Sequence, residues 1–188
     1  MSKSITFVVG RFQPLHNGHL GLIRRAIEEA NGGYTAIFIG SADGKQDARN
    51  PFTYLQRTDM LMKSLVDYTG LYSIHAVHDN PSDDAWVSQI EYVLNVINVS
   101  LDKPVRKYKA VVCDKDVFTK KSNDLFLRIP CCEIVRIEDQ YGLNATDIRK
   151  KLYLDKVSID SLTEVPHGTK QVLSKVINYN ADWLQLKV

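Results

Sequence analysis

No stretch of the 188 residues stays apolar for the ~18 positions that a bilayer-spanning helix needs, and the N-terminus lacks the uninterrupted apolar core of a secretory signal. A soluble, cytoplasmic protein with no membrane partner is therefore expected. Two glycosylation-like triplets, at Asn98 and Asn144, lose their meaning on the same ground. Cysteine is scarce: Cys113, Cys131 and Cys132 are odd in number and show no CxxC spacing, which argues against a disulfide framework and for reduced, structural thiols. Charge of one sign is also lacking. With 24 Lys and Arg against 22 Asp and Glu, scattered along the chain, the net charge of +2 offers no clustered stripe for a nucleic-acid duplex. There is no internal repeat, low-complexity tract or interdomain linker, so one domain over 1–188 is expected, with a core at about 4–155 and a C-terminal helical part at about 156–188. A GxGxxG fingerprint is absent. The nearest approach to a phosphate loop, "GSADGKQ" from Gly40, has three residues between its glycines and ends in Gln46 where a metal-binding hydroxyl belongs.

What is present is an alternation of strand and helix patterns. Ser4 to Val9 is β-branched and apolar, and Leu20, Ile23, Ile27 and Ala30 then recur at helical spacing. Tyr34 to Gly40 is continuously apolar, as in a strand buried on both faces of a parallel sheet. A helix over about 53–68 is expected to turn Leu55, Met62, Leu65 and Val66 inward, and a strand follows near 71–78. Ser82 and Asp83 offer caps for a helix with the stripe Trp86, Ile90, Val93, Leu94, Ile97 and Leu101. Tyr108 to Cys113 and Cys132 to Ile137 read as the fourth and fifth strands, followed by a short helix after Ala145, a turn at 166–168 and a last helix near 170–178. Such alternation predicts a doubly wound α/β domain, whose ligands bind beyond the carboxyl ends of the strands. The loops at 10–19, 40–51, 79–84 and 140–149 are thereby brought together.

The first of these loops reads "GRFQPLHNGH", Gly10 to His19, between a strand and a helix. A helix start exposes unpaired N–H groups and carries partial positive charge. Gly10 suits a sharp turn, Gly18 clears space for a phosphate, and Pro14 fixes the approach without needing a donor. His16 and His19, three apart, can aim at one ligand, and Arg11 adds a charged fork. One histidine alone would more often cap or pack in a turn; the pair with Gly18, Pro14 and Arg11 favours a polyphosphate site. Arg11 itself can face the phosphates or pair at the surface.

"HNGH" resembles the HxGH signature of the nucleotidyltransferase superfamily, and "GRFQPLHNGHL" is similar to nicotinamide mononucleotide adenylyltransferases of the archaeal type, including those fused to a Nudix hydrolase. The blocks "GSAD" with "RNPFTYLQR", "DNPSDDAW" and "NATDIR" resemble that family's later motifs, in its order, over residues 5 to about 170. The resemblance implies a Rossmann-like parallel sheet of the nucleotidyltransferase type and transfer of AMP from ATP to nicotinamide mononucleotide, giving NAD and pyrophosphate by direct attack. It implies Mg²⁺ held mainly through ATP phosphates, and small-molecule substrates only. By the same resemblance, Gly10, Arg11, Phe12, Gln13, Gly18, Thr146 and Arg149 line the ATP site, with His16, His19 and Arg149 catalytic. Gly40, Ser41, Arg49, Asn50, Asp79, Asn80 and Trp86 then hold the mononucleotide.

Each block has a plainer account. Thr146 and Arg149 fit a helix cap followed by a solvated basic patch. Arg49 and Arg57 fit surface ion pairs, and Trp86 fits the core stripe of its helix, although its first-turn place would let it stack on a pyridinium ring. Many relatives carry Ser where this chain has Asn144. His75 and His78, three apart on a strand, point to opposite faces and cannot share a metal, and His167 falls in a turn without a role. Cys113 sits near the expected cleft with no base to make it a nucleophile. Other phosphorylated acceptors, such as nicotinic acid mononucleotide, and a nucleotide-sensing module without turnover are the competing functions. Assembly into a homo-oligomer stays open. No Nudix box occurs, which leaves a single-activity protein or the first domain of a longer one. A class I synthetase is excluded by size.

Overall fold

In the computed structural model, residues 3–115 and 117–177 are described. The elements run β1 (Ile5–Gly10), α1 (Asn17–Glu29), β2 (Tyr34–Ile39), α2 (Tyr54–Ser64), β3 (Tyr72–Ala76), α3 (Asp83–Ser100), β4 (Tyr108–Cys113), α4 (Val117–Asn123), β5 (Cys132–Ile137), α5 (Ala145–Tyr153) and α6 (His167–Val176). Short 3-10 turns lie at Val66–Tyr68, Asp124–Arg128 and Ile159–Ser161. The five strands are all parallel, in the order β3-β2-β1-β4-β5, so the chain reverses its direction of winding between β1 and β4.

Helices cover both faces because side chains alternate along each strand. Val8, Ile37, Ile39 and Val111 meet Leu20, Ile23 and Ala26 of α1, Met60 and Leu61 of α2, and the inner sides of α5 and α6. Ile5, Phe7, Ala36, Phe38, Ala110 and Val112 pack on the opposite face with Val87, Ile90 and Leu94 of α3 and with Phe126. The buried hydroxyl of Thr6 would be costly in this core, and it is satisfied by the Ala26 carbonyl at 2.9 Å and by Thr35 at 2.9 Å.

The register opens the site. β1 pairs with β2 along all six residues, but its ladder with β4 runs only from Ile5, opposite Tyr108, to Phe7, opposite Ala110. Past those residues β1 and β4 part, and the crevice at the switch point lies between them.

Two expectations need correction. In α2 the inward residues are Arg57, Met60 and Leu61, with Leu65 just beyond, whereas Leu55, Met62 and Val66 are exposed. The apolar count misplaced the helix phase because a buried arginine occupies the inner face. The expected turn at 166–168 is instead the start of α6: Pro166 is its N-cap and His167, whose Nε2 lies 3.0 Å from Gln171 Nε2, its first residue. Gly168 lies within that helix against α2, where an added Cβ would come within 2.5 Å of the Lys63 carbonyl carbon. Asn178, the expected end of the last helix, lies outside the described residues.

Candidate active site

His16 is the N-cap of α1, not a residue of its first turn. Its backbone is extended and its Nδ1 accepts the His19 N–H at 3.3 Å. Since Nδ1 accepts, the single proton of the neutral ring sits on Nε2. His19 lies one turn on, stacked on His16 with centroids 3.6 Å apart and its flank against the edge of Phe12. Burial pushes the His16 pKa down to about 4, with the Lys115 charge adding to the shift. Burial, then His16, then Lys115 drive His19 well below its ordinary value. The pair is therefore neutral at physiological pH, and the His19 Nδ1 is buried without a partner among the described residues.

The α1 start offers fewer amides than an ideal helix. Asn17 N–H is taken by the Glu164 carbonyl at 2.8 Å and His19 N–H by His16, which leaves Gly18 N–H as the free first-turn donor among the described residues. A Cβ on Gly18 would sit 3.2 Å from the His16 ring, so glycine keeps that amide open. Gly10 acts otherwise than the sequence suggested: it ends β1, and a Cβ there would strike the Phe12 ring at 2.8 Å. The turn is made by Phe12 itself, at φ 51°, which swings its ring into the core. Gln13 is equally committed to the scaffold. Its buried amide donates to the Phe52 carbonyl and accepts the Phe52 N–H, both at 2.9 Å, pinning the first loop to the start of the second.

Asn144 caps α5 by accepting the Thr146 N–H at 2.8 Å, so the cap is Asn144 and not Thr146. Thr146 Oγ1 instead accepts from Arg149 Nη2 at 3.1 Å, and Arg149 Nη1 donates to the Gln13 carbonyl at 2.8 Å. Arg149 is thus buried rather than part of a solvated patch, and its Nε has no partner among the described residues. Burial and then the charge of Arg11 lower its pKa, with Arg49 acting in the same sense and Asp47 against it. The charges of Arg11 and Arg49 are thus felt at Arg149, with Asp47 opposing them, an arrangement that suits an anion.

Arg57, read as a surface residue, is 1% exposed and bonds the carbonyls of Arg11 at 2.9 Å, Gly40 at 2.7 Å and Ser41 at 3.0 Å. It ties together the carboxyl ends of β1 and β2, and burial pulls its pKa down to about 10. Ser41, at φ 47°, donates through Oγ to Asp79 Oδ1 at 3.0 Å, joining the loops after β2 and β3. Asn80 turns inward on its own loop and accepts the Ser82 N–H at 2.9 Å. Arg49 is exposed on the loop after β2, and Asn50 beside it has a buried Oδ1 without a partner among the described residues. Trp86 is half-buried on the first turn of α3, stacked on Phe126 with centroids 6.0 Å apart.

A cleft of about 560 Å³ runs between α1 and the parted ends of β1, β4 and β5. Gly10, His16, Gly18 and His19 line it, as do Cys113, Lys115, Phe126, Asp139 and Tyr141. The cluster at Gly40, Ser41, Arg49, Asp79 and Asn80 lies outside it, at the ends of β2 and β3. The candidate residues therefore fall in two places: a cleft at the ends of β1, β4 and β5, and a set of loops at the ends of β2 and β3. Sequence reasoning missed Lys115, Asp139 and Arg57. The first was legible, because the loop after β4 must open on the same end of the sheet as the others.

His75 pairs with Ser73 Oγ at 2.6 Å and His78 with Asp43 at 3.4 Å, and no group of three or more His, Cys, Asp or Glu among the described residues could hold a metal ion. No described helix is long and apolar enough to cross a membrane.

Comparison with known proteins agrees with this geometry. The cytidylyltransferase-like family model matches residues 7–151. The nicotinamide-nucleotide adenylyltransferase of Methanococcus maripaludis is 34% identical over 175 residues, covering 93% of this chain and 91% of that one. The protein of the same name from Methanococcus aeolicus is 27% identical over 173 residues, covering 92% and 90%. A bifunctional NMN adenylyltransferase/ADP ribose pyrophosphatase from Francisella tularensis superposes with a TM-score of 0.75 at 21% identity; 98% of this chain is covered, and it spans 52% of that longer one. A second structure of that bifunctional protein, complexed with AMP and a manganese ion, gives a TM-score of 0.69 at 22% identity. With a family model covering most of its length and a full-length relative above 30% identity, the chain belongs to the cytidylyltransferase-like family, in its branch of nicotinamide-nucleotide adenylyltransferases.

Proposed function

We propose that the chain transfers the adenylyl group of ATP to the 5′-phosphate of nicotinamide mononucleotide. An acceptor phosphate oxygen forms a bond to the α-phosphorus as the bond from that phosphorus to the bridging oxygen of pyrophosphate breaks. The products are NAD and pyrophosphate. No side chain need act as nucleophile or base, because the attacking phosphate is already anionic; the protein supplies position and charge stabilisation.

The observation that carries this reading is the neutral, stacked His16 and His19 pair set against a buried, incompletely bonded Arg149 at the switch point. The Nε2 of His16 and the free Gly18 amide donate to phosphate oxygens. Arg149 keeps its charge at any accessible pH and holds the oxygens that become the leaving group, with Thr146 fixing its fork. Gly10, Phe12 and Gln13 act as scaffold for that side, and Arg11 adds charge at its rim. Gly40, Ser41, Arg49, Asn50, Asp79 and Asn80 offer the acceptor its shelf. Trp86, already flat on Phe126, presents an aromatic plane for the pyridinium.

A divalent cation fits this site as a companion of the triphosphate, since no group of three or more His, Cys, Asp or Glu among the described residues could hold it by protein ligands alone. Bound there, Mg²⁺ would neutralise phosphate charge.

The test is pyrophosphate release from ATP and Mg²⁺ with a panel of acceptors. Nicotinamide mononucleotide is expected to be fastest. Faster turnover of nicotinic acid mononucleotide would reassign the acceptor, comparable turnover with CTP as donor would overturn the adenylyl reading, and nucleotide binding without any turnover would leave a sensor.

A further inference from the structure

His16, Gly18 and His19 form the α1 wall of the cleft, while Thr146 and Arg149 lie beyond its lining. The loop after β4 brings one cation, Lys115, into the same cleft as His16 and His19. Two other cations line that cleft. Arg25 is held by Glu28 at 3.4 Å and Glu29 at 2.6 Å, and Arg24 lies over the face of Tyr68 at 6.0 Å. Lys115 differs in reach, since its charge is felt by both buried histidines.

Its ammonium is held but not saturated. Nζ donates to the Leu143 carbonyl at 2.6 Å and lies 3.7 Å from Asp139 Oδ2. Asp139 is shared, because its Oδ1 also accepts the N–H groups of Tyr141 at 3.2 Å and Gly142 at 3.0 Å. An ammonium has three donors, so Lys115 keeps capacity for a further acceptor. Leu143 immediately precedes Asn144, the cap of the helix that carries Thr146 and Arg149. The same contact therefore anchors Lys115 to the loop that delivers the arginine.

The charge balance asks for such a group. A triphosphate brings about four negative charges, and the two histidines, being neutral, contribute donors without charge. We propose that Lys115 is a further phosphate-binding residue of the adenylyl-transfer site, holding the ATP polyphosphate from the β4 side of the cleft. The assignment rests on the ATP-dependent reading above.

The test is equilibrium binding of Mg·ATP and of adenosine to the wild-type chain, Lys115→Met and Lys115→Arg, with thermal midpoints as a check of folding, alongside turnover with nicotinamide mononucleotide. Loss of a charge-assisted contact should weaken Mg·ATP binding to Lys115→Met about tenfold to a hundredfold. Adenosine affinity and the KM for the mononucleotide should stay within about twofold, and Lys115→Arg should regain most of the loss because it restores a cation. Unchanged Mg·ATP affinity in Lys115→Met would overturn the proposal. So would a parallel loss of adenosine and Mg·ATP, which would make Lys115 only a tether of the 139–143 loop. Wild-type chain that binds Mg·ATP in a Lys115-dependent way yet forms no dinucleotide would overturn the transfer reading alone; wild-type chain that binds no Mg·ATP would overturn both.

Discussion

Acid should destabilise this protein through the histidine pair before it titrates most carboxylates. His16 is 2% exposed and its pKa is lowered from 6.5 to about 4, chiefly by burial. The unfolded chain therefore binds a proton at His16 that the folded chain refuses. Stability from this group is complete above pH 6.5, falls as pH drops through the window below it, and is fully lost below about 4. The linked loss is about 2.5 kcal/mol by about pH 4.5 and about 3 kcal/mol at the limit. His19, lowered in the same direction, and His75, lowered by its own burial, add to the slope. Urea denaturation across about pH 8 to 4.5 should thus show a steep decline in the wild type. His16→Asn keeps an N-cap acceptor for the His19 N–H but cannot titrate, so its curve should be flatter by about the same 2.5 kcal/mol at the acid end. Parallel curves for the two proteins would refute the buried, neutral assignment of His16.

Three further outcomes follow from single contacts. Arg57→Met leaves three carbonyls at the ends of β1 and β2 without their donor, and should lower stability by about 3 kcal/mol in thermal or urea melts; a loss below about 1 kcal/mol would mean that water replaces the guanidinium. Gly168→Ala forces a Cβ into the backbone of α2 and should cost about 1–3 kcal/mol by the same measurement, with no local change in the cleft. Trp86→Ala should raise the KM for nicotinamide mononucleotide with little change for ATP, and an effect confined to ATP would remove the stacking role.

The five strands and their order of appearance were legible because buried parallel strands leave apolar runs, as in Ala36 to Ile39 and Ala110 to Cys113. The phase of α2 was not, since Arg57 breaks the rule that the inner face of a helix is apolar and its justification lies in three carbonyls distant in sequence. The site divides in the same way. His16 and His19 were legible as candidates because a local pattern marks their helix start, and Arg149 became one only through the resemblance of its block. The electrostatic state of the two histidines was not legible, since it depends on burial and on Lys115, about a hundred residues along the chain. Gln13 shows the reverse: a polar residue in a ligand loop whose amide is consumed by Phe52.

The central claim is adenylyl transfer between two bound nucleotides without a covalent enzyme intermediate, and ATP labelled at the α-phosphate tests it most directly. With Mg²⁺ and nicotinamide mononucleotide the label should pass into NAD in step with pyrophosphate release, none should stay on the quenched protein, and His19→Ala should slow the transfer by orders of magnitude while its melting curve stays cooperative. Label retained on the protein, or transferred at an undiminished rate by His19→Ala, would contradict the account.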